Sequence, residues 1–230
     1  MKAMSATVLG AAILLCGCAS PPPASQSGFL GDYTQLQPAP DREGVMLWVD
    51  KSADLRPYTK LMFDRVQVLA TPAADQPPLP PDVLARIGGQ FEESMRREFA
   101  NGYQLVSAPG PDVLRVRSAI TGIQPAKPDA GAMDYVPIKA LYNVGREAAG
   151  AGPRVAEMQA EVEVLDPSGK RVVAATATRK GDQHLQQGEQ ITWQSLQPIT
   201  DYWAVNVRAR LDQLRGVSAP PAPVASTGQH

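Results

Sequence analysis

The chain has 230 residues, 43% hydrophobic and 20% charged, with 22 Lys and Arg against 23 Asp and Glu. Balanced charge of this kind supplies no strong field to draw in nucleic acid, which removes that class of partner. The apolar fraction suffices for one globular core, and prolines gathered at 21–23, 77–81 and 220–222 read as punctuation between ordered parts.

Residues 1–17 carry one positive charge, Lys2, then an apolar stretch from Val8 to Leu15, then small residues. That is a secretory signal pattern, too short to span a bilayer, and it lies outside the fold. Leu15-Cys16-Gly17-Cys18 follows. It resembles the lipobox of bacterial lipoproteins, with a leucine three before the modified cysteine and a small residue one before it. The resemblance implies cleavage after Gly17 and a diacylglycerol thioether on Cys18, with further acylation making a stable membrane anchor. Cys16, preceded by bulky Leu15, does not fit. A metal or redox pair is the competing use of Cys16 and Cys18, but His184 and His230 are the only histidines and lie far off, so four zinc ligands cannot be assembled. Ala19 and Ser20 follow in place of Asp, which in this class implies the outer membrane. Residues 18–27 then form the lipidated cysteine and a Pro/Ser-rich tether.

Ser27-Gly28-Phe29-Leu30-Gly31-Asp32-Tyr33 comes next. It resembles the opening of a family of proteobacterial lipoproteins known only as a domain of unknown function, whose mature chains begin Ser-Gly-Phe-Leu-x-Asp-Tyr. The similarity continues through Asp54 to Val66, Leu114 to Ile123 and Ala160 to Ala175, and implies no activity. From the residues themselves, Phe29, Leu30 and Tyr33 without regular periodicity suggest a strap laid on the domain surface, or alternatively a partner-binding motif.

Val45 to Val49 is a short apolar run suited to an edge strand. Lys60 to Ala70 switches its apolar face between Phe63 and Val66, which predicts a bulge near Asp64-Arg65 or burial on both sides. Pro81 and Asp82 open a helix whose stripe of Leu84, Ile87, Phe91, Met95 and Phe99 runs to Ala100 and belongs to the core. Gly88-Gly89 within it suggests close approach to a sheet, and Asn101-Gly102 closes it.

Strands are expected at Tyr103 to Val106 and Val113 to Ile123, the latter with Arg115 and Arg117 on its polar face. Val155 to Leu165 alternates Ala156, Met158, Ala160, Val162 and Val164 inward with Glu157, Gln159, Glu161 and Glu163 outward. Asp166-Pro167-Ser168-Gly169 turns the chain, and Arg171 to Thr178 returns. Val136 to Ala149 is a weak helical candidate, 179–191 a polar loop holding His184, and from Thr192 a helix runs, interrupted or restarted at Pro198, with Trp203 on its core side. Residues 217–230 read as a disordered tail.

No Ser-His-Asp or Cys-His set, phosphate loop or zinc motif has credible parts, so neither a catalytic site nor a cofactor is expected. Glu161 and Glu163, two residues apart on a strand, lie roughly 6.5–7 Å from each other, a spacing compatible with glycosidase carboxylates. The plainer account pairs Glu157, Glu161 and Glu163 with Arg115, Arg117, Arg171 and Arg179 across a wet sheet face. Trp193, Tyr202, Trp203, Tyr135 and Tyr142 either line a groove for peptide, glycan or lipid, or Trp203 belongs to the core and Trp193 caps the helix entry.

The expected architecture is α+β, one domain over residues 28–216: a mixed, mostly antiparallel sheet of five or six strands carrying two or three amphipathic helices. The expected function is that of a periplasm-facing outer-membrane lipoprotein acting as a non-enzymatic binding or assembly subunit with a protein partner. The Arg115, Arg117, Glu157, Glu161 and Glu163 face is the candidate interaction surface. A carrier for a lipid, glycan fragment or small molecule, and an unfamiliar carboxylate hydrolase, are the alternatives.

Overall fold

Alternation of apolar and polar residues over 156–164 marks one long strand at the centre of the sheet, because each side chain in turn points to the opposite face. The computed structural model describes residues 26–70, 78–129, 152–186 and 188–217. The signal segment, Cys18 and most of the tether, the 136–149 helical candidate with Tyr135 and Tyr142, and the tail beyond Val217 lie outside the described residues.

In chain order the strands are β1 (Gln37–Pro38), β2 (Val45–Val49), β3 (Lys60–Phe63), β4 (Gln67–Val68), β5 (Gln104–Leu105), β6 (Val113–Ala126), β7 (Arg154–Leu165) and β8 (Arg171–Leu185). The helices are α1 (Pro81–Phe99), between β4 and β5, and α2 (Trp193–Leu214), after β8. The sheet runs β1-β2-β8-β7-β6-β3-β5, with β4 also on β6. From β1 to β6 every pairing is antiparallel, whereas β3, β4 and β5 join in parallel. The α+β class and the mixed sheet agree with the sequence, but the described residues form eight strands rather than five or six. The additional ones, β1 and the separate β4, are two residues long and too short to leave a periodicity.

The face switch in residues 60–70 resolves as a break. β3 ends at Phe63 and β4 starts at Gln67, yet both follow β6, held by Asp64 N–H to Val116 O at 3.0 Å and Leu69 N–H to Ile120 O at 2.8 Å. The interruption frees Asp64 to reach along the sheet. In α1 the Gly88 pair expectation holds at one position: a Cβ on Gly88 would sit 3.0 Å from Val68 Cγ2, while Gly89 faces open space.

Ala156, Met158, Ala160, Val164, Leu114 and Ile120 supply the sheet side of the main core, and Ile87, Phe91, Phe99, Leu196, Ile199 and Trp203 the helix side. Each fully buried large apolar side chain contributes about 1.5–3 kcal/mol. Trp203 stands edge-on to Phe91, centroids 6.3 Å apart. α2 begins on a capping box in which Thr192 N–H donates to Ser195 Oγ at 3.1 Å, and it runs through Pro198 without interruption.

The segment 179–191, expected as a loop, is mostly strand. β8 continues to Leu185 and pairs with the start of β7. His184 therefore sits exposed in a strand opposite Val155. Gly181 hides the continuation from view in the sequence, and its lack of a side chain admits α2: a Cβ there would lie 3.3 Å from Ser195 O.

Candidate functional site

The face of the sheet turned away from the helices carries the charged residues that the alternation singled out. Register sets Glu163 between Arg117 on β6 and Ala174 on β8, and Glu161 one row further between Ala119 and Thr176. β2 extends these rows with Trp48 opposite Ala174 and Met46 opposite Thr176.

This face is not wet where the glutamates stand. Glu161 is 1% exposed and Glu163 2%. What covers them is residues 27–36, an irregular strap in which Gly28 and Gly31 take positive φ and allow the chain to fold back on itself. Leu30 is buried against Ala174 together with Leu36, and Phe29, Tyr33, Met46 and Trp48 pack around them. The strap expected from the sequence is thus present, and it corrects the expectation of an open acidic face.

Polar contacts fasten it. Ser27 N–H donates to Glu161 Oε1 at 2.9 Å and the Tyr33 hydroxyl donates to Oε2 at 2.7 Å. Tyr33 also accepts from Gly28 N–H at 2.8 Å, closing the front of the strap on its own ring oxygen. Burial, together with the hydrogen bond to Glu161, raises the Tyr33 pKa above the usual phenol value. Arg171 bridges sheet and strap: its Nε donates to Glu163 Oε2 at 2.7 Å, while its terminal nitrogens donate to Asp32 O at 3.1 Å and to Leu30 O. Arg117 donates to Glu163 Oε1 and lies over the Phe29 ring, 5.2 Å from its centre. Glu163, 3% exposed in its side chain, thus accepts from two guanidinium groups. Asp32 is tied locally by the Thr34 hydroxyl at 2.7 Å and the Thr34 amide at 2.9 Å, bonds that lower its pKa.

Of the five face residues named from sequence, the structure brings Arg117 and Glu163 into contact and sets Glu161 beside them in the next row. Arg115 does not pair with a glutamate: it forms a two-pronged contact with Asp64, Nε to Oδ1 at 2.8 Å and Nη2 to Oδ2 at 2.7 Å, which raises the Arg115 pKa. The break between β3 and β4 puts Asp64 there. Glu157 lies further along β7 and accepts from Gln124 Nε2 at 2.7 Å. Arg179 stacks on Tyr202, 3.6 Å from its centre, rather than pairing with Glu157, Glu161 or Glu163 as expected. Residue alternation located the charged face. What covers a face depends on a segment 128 or more residues away, and nothing periodic announces it.

Among the described residues, the aromatic side chains named from the sequence take separate roles. Trp203 is core, Trp193 is half-buried at the first turn of α2, and Tyr202 is exposed. Among the described residues, no group of three His, Cys, Asp or Glu is placed to hold a metal ion, and no helix is long and apolar enough to cross a membrane. Among the described residues, a depression of about 420 Å³ is bordered by Met62, Asp64, Arg96 and Ser107.

Comparison with known proteins places this geometry in a family. Residues 25–207 match the profile of the family described as "Protein of unknown function (DUF3313)". The match begins at the strap and ends within α2. "Uncharacterized lipoprotein YdcL" of Escherichia coli strain K12 is 25% identical over 199 residues, covering 84% of this chain and 89% of that protein. Among solved structures, the PelC dodecamer from Paraburkholderia phytofirmans aligns with 73% of this chain and 96% of its own at 13% identity and TM-score 0.36. A DUF4136 family protein from Bacteroides thetaiotaomicron aligns with 74% and 96%, again at 13% identity and TM-score 0.36. Scores at that level do not establish a shared fold. The chain belongs to the DUF3313 family.

Proposed function

We propose that this chain is an outer-membrane lipoprotein, anchored through Cys18 with its domain in the periplasm, and that it serves there as a non-enzymatic binding or assembly subunit of the cell envelope. The observation that carries the proposal is a short chain path: Ser27, nine residue steps after Cys18 (27 − 18), is bonded to Glu161 in the centre of the sheet. An extended chain covers at most about 3.3–3.6 Å per residue, so the lipid site lies within about 30 Å of that face. The domain is therefore held close to its anchor and presents its remaining surface to neighbours.

Three further points support it. The relative in Escherichia coli carries the lipoprotein description. Ala19, in place of Asp after Cys18, favours the outer membrane within that class. Glu161 and Glu163, the carboxyl groups that a hydrolase reading would need, are buried and occupied by strap and arginine donors, which favours a binding role over catalysis. A carrier would need an interior cavity, whereas Leu61, Leu114, Ile120, Leu196 and Ile199 have no exposed surface and fill the space between sheet and helices.

Crosslinking in intact cells, followed by affinity purification of the tagged chain, tests the subunit role. A discrete crosslinked species containing a second envelope protein is the expected result. Recovery of monomer alone under linkers of several lengths would overturn it.

A further inference from the structure

We propose that residues 27–36 are a releasable latch that gives the domain two standoff distances from its anchor, a proposal that rests on Cys18 being the lipid site. Among the described residues, tension carried along the chain from the anchor falls first on the Ser27 N–H bond to Glu161 and then on the Tyr33 hydroxyl bond to the same carboxyl group. No β-ladder holds this segment. Its grip consists of these bonds, the Arg171 bonds to Leu30 O and Asp32 O, and the Arg117 contact with Phe29.

The apolar part of the grip, Leu30 and Leu36 on Ala174 with Met46 and Trp48 beside them, is a cluster separate from the main core. Lifting the strap therefore leaves the packing between sheet and helices intact, as expected of a local opening unit. Release stops at Gln37 and Pro38, which are paired with Leu47 and Met46. Latched, nine residue steps separate Cys18 from Ser27 and allow at most about 30 Å; released, the nineteen steps from Cys18 to Gln37 (37 − 18) allow about 65 Å. Release also bares Glu161, Glu163, Met46 and Trp48, so the longer state differs from the shorter in the surface it offers.

Two measurements on the full chain test this. Hydrogen exchange in solution, which does not depend on lipid, should show the Ser27 and Leu30 amides of wild type at least about tenfold less protected than the β6–β7 ladder, and less protected again in Tyr33→Phe. Strap amides as well protected as the ladder, or unaffected by Tyr33→Phe, would overturn the latch. The second uses lipidated chain in phosphatidylethanolamine and phosphatidylglycerol vesicles, with a donor dye on Gln197→Cys and acceptor dyes in the lipid headgroups. Energy transfer should fall in Glu161→Ala relative to wild type, and equal transfer would overturn the two distances. Failure of the chain to bind vesicles at all would refute the anchor and with it the two distances, while the exchange result still decides whether the strap opens independently.

Discussion

Tyr33 and Glu161, 128 residues apart in the chain, meet through a hydrogen bond of 2.7 Å that joins the first folded segment to the middle of the sheet. A buried carboxyl group satisfied by a phenol and a backbone amide holds the strap in one register, and leaving it without either donor is costly.

Tyr33→Phe removes only the hydroxyl. The expected loss is about 1–3 kcal/mol of unfolding free energy, the range for a buried polar group deprived of its partner. Urea titration should show a lower midpoint with little change in slope. An unchanged midpoint would mean that the strap contributes nothing to the folded state.

Glu163→Ala removes the carboxyl group that Arg117 and Arg171 share, leaving Arg117 with Asp64 at 3.7 Å and Arg171 with the strap carbonyls alone. Both remain partly in contact with water, 32% and 24% exposed in their side chains, which moderates the penalty. The expected cost is about 1–3 kcal/mol, and the strap should become sensitive to protease between residues 27 and 36 because Arg171 loses its orientation. Equal protease resistance in the variant and wild type would contradict the bridging role of Arg171.

Tyr103 donates to Asp212 at 2.6 Å beneath the end of α2, and burial with this hydrogen bond pushes its pKa from 10.0 up to about 12. A phenol that holds its proton more tightly when folded contributes stability that is fully present below pH 10 and is lost as pH rises toward 12. Stability should fall by about 2–3 kcal/mol across that window from this group alone. In Tyr103→Phe the alkaline slope should be shallower by that amount, measured by denaturant titration at pH 9 and pH 12.

Asp50 closes the end of β2 onto the β7–β8 turn. Its pKa is lowered from 3.8 to about 2, first by Lys170 Nζ at 2.6 Å and then by the Ser52 hydroxyl and amide. A carboxyl group held low contributes stability above its ordinary value, and that contribution disappears as pH falls toward 2. Asp50→Asn should therefore be less stable than wild type at pH 7, with the difference closing by pH 2. A constant difference across that range would contradict the assignment.

The parts legible in the sequence were those governed by local periodicity. The α1 stripe from Ile87 to Phe99 and the β7–β8 hairpin with Gly169 at φ 84° follow from side-chain spacing and turn chemistry; the strap was legible in the opposite way, from apolar Phe29, Leu30 and Tyr33 in a segment with no period. The short strands β1 and β4 were not legible, because two residues carry no period. Nor was the burial of Glu161 and Glu163, because a carboxylate on an alternating strand looks the same under water as under a strap. Arg171 was named only as one of several possible ion partners. Its hold on the carbonyls of Leu30 and Asp32 requires knowing where the strap lies.

The most direct test of the account is mass spectrometry of the mature N-terminal peptide from cells expressing the full chain. The account predicts a peptide beginning at Cys18 and carrying a diacylglyceryl group with a further acyl chain, absent in Cys18→Ser, whose product should leave the membrane fraction. An unmodified N-terminal peptide, or a Cys18→Ser product that fractionates with the membrane as wild type does, would contradict it.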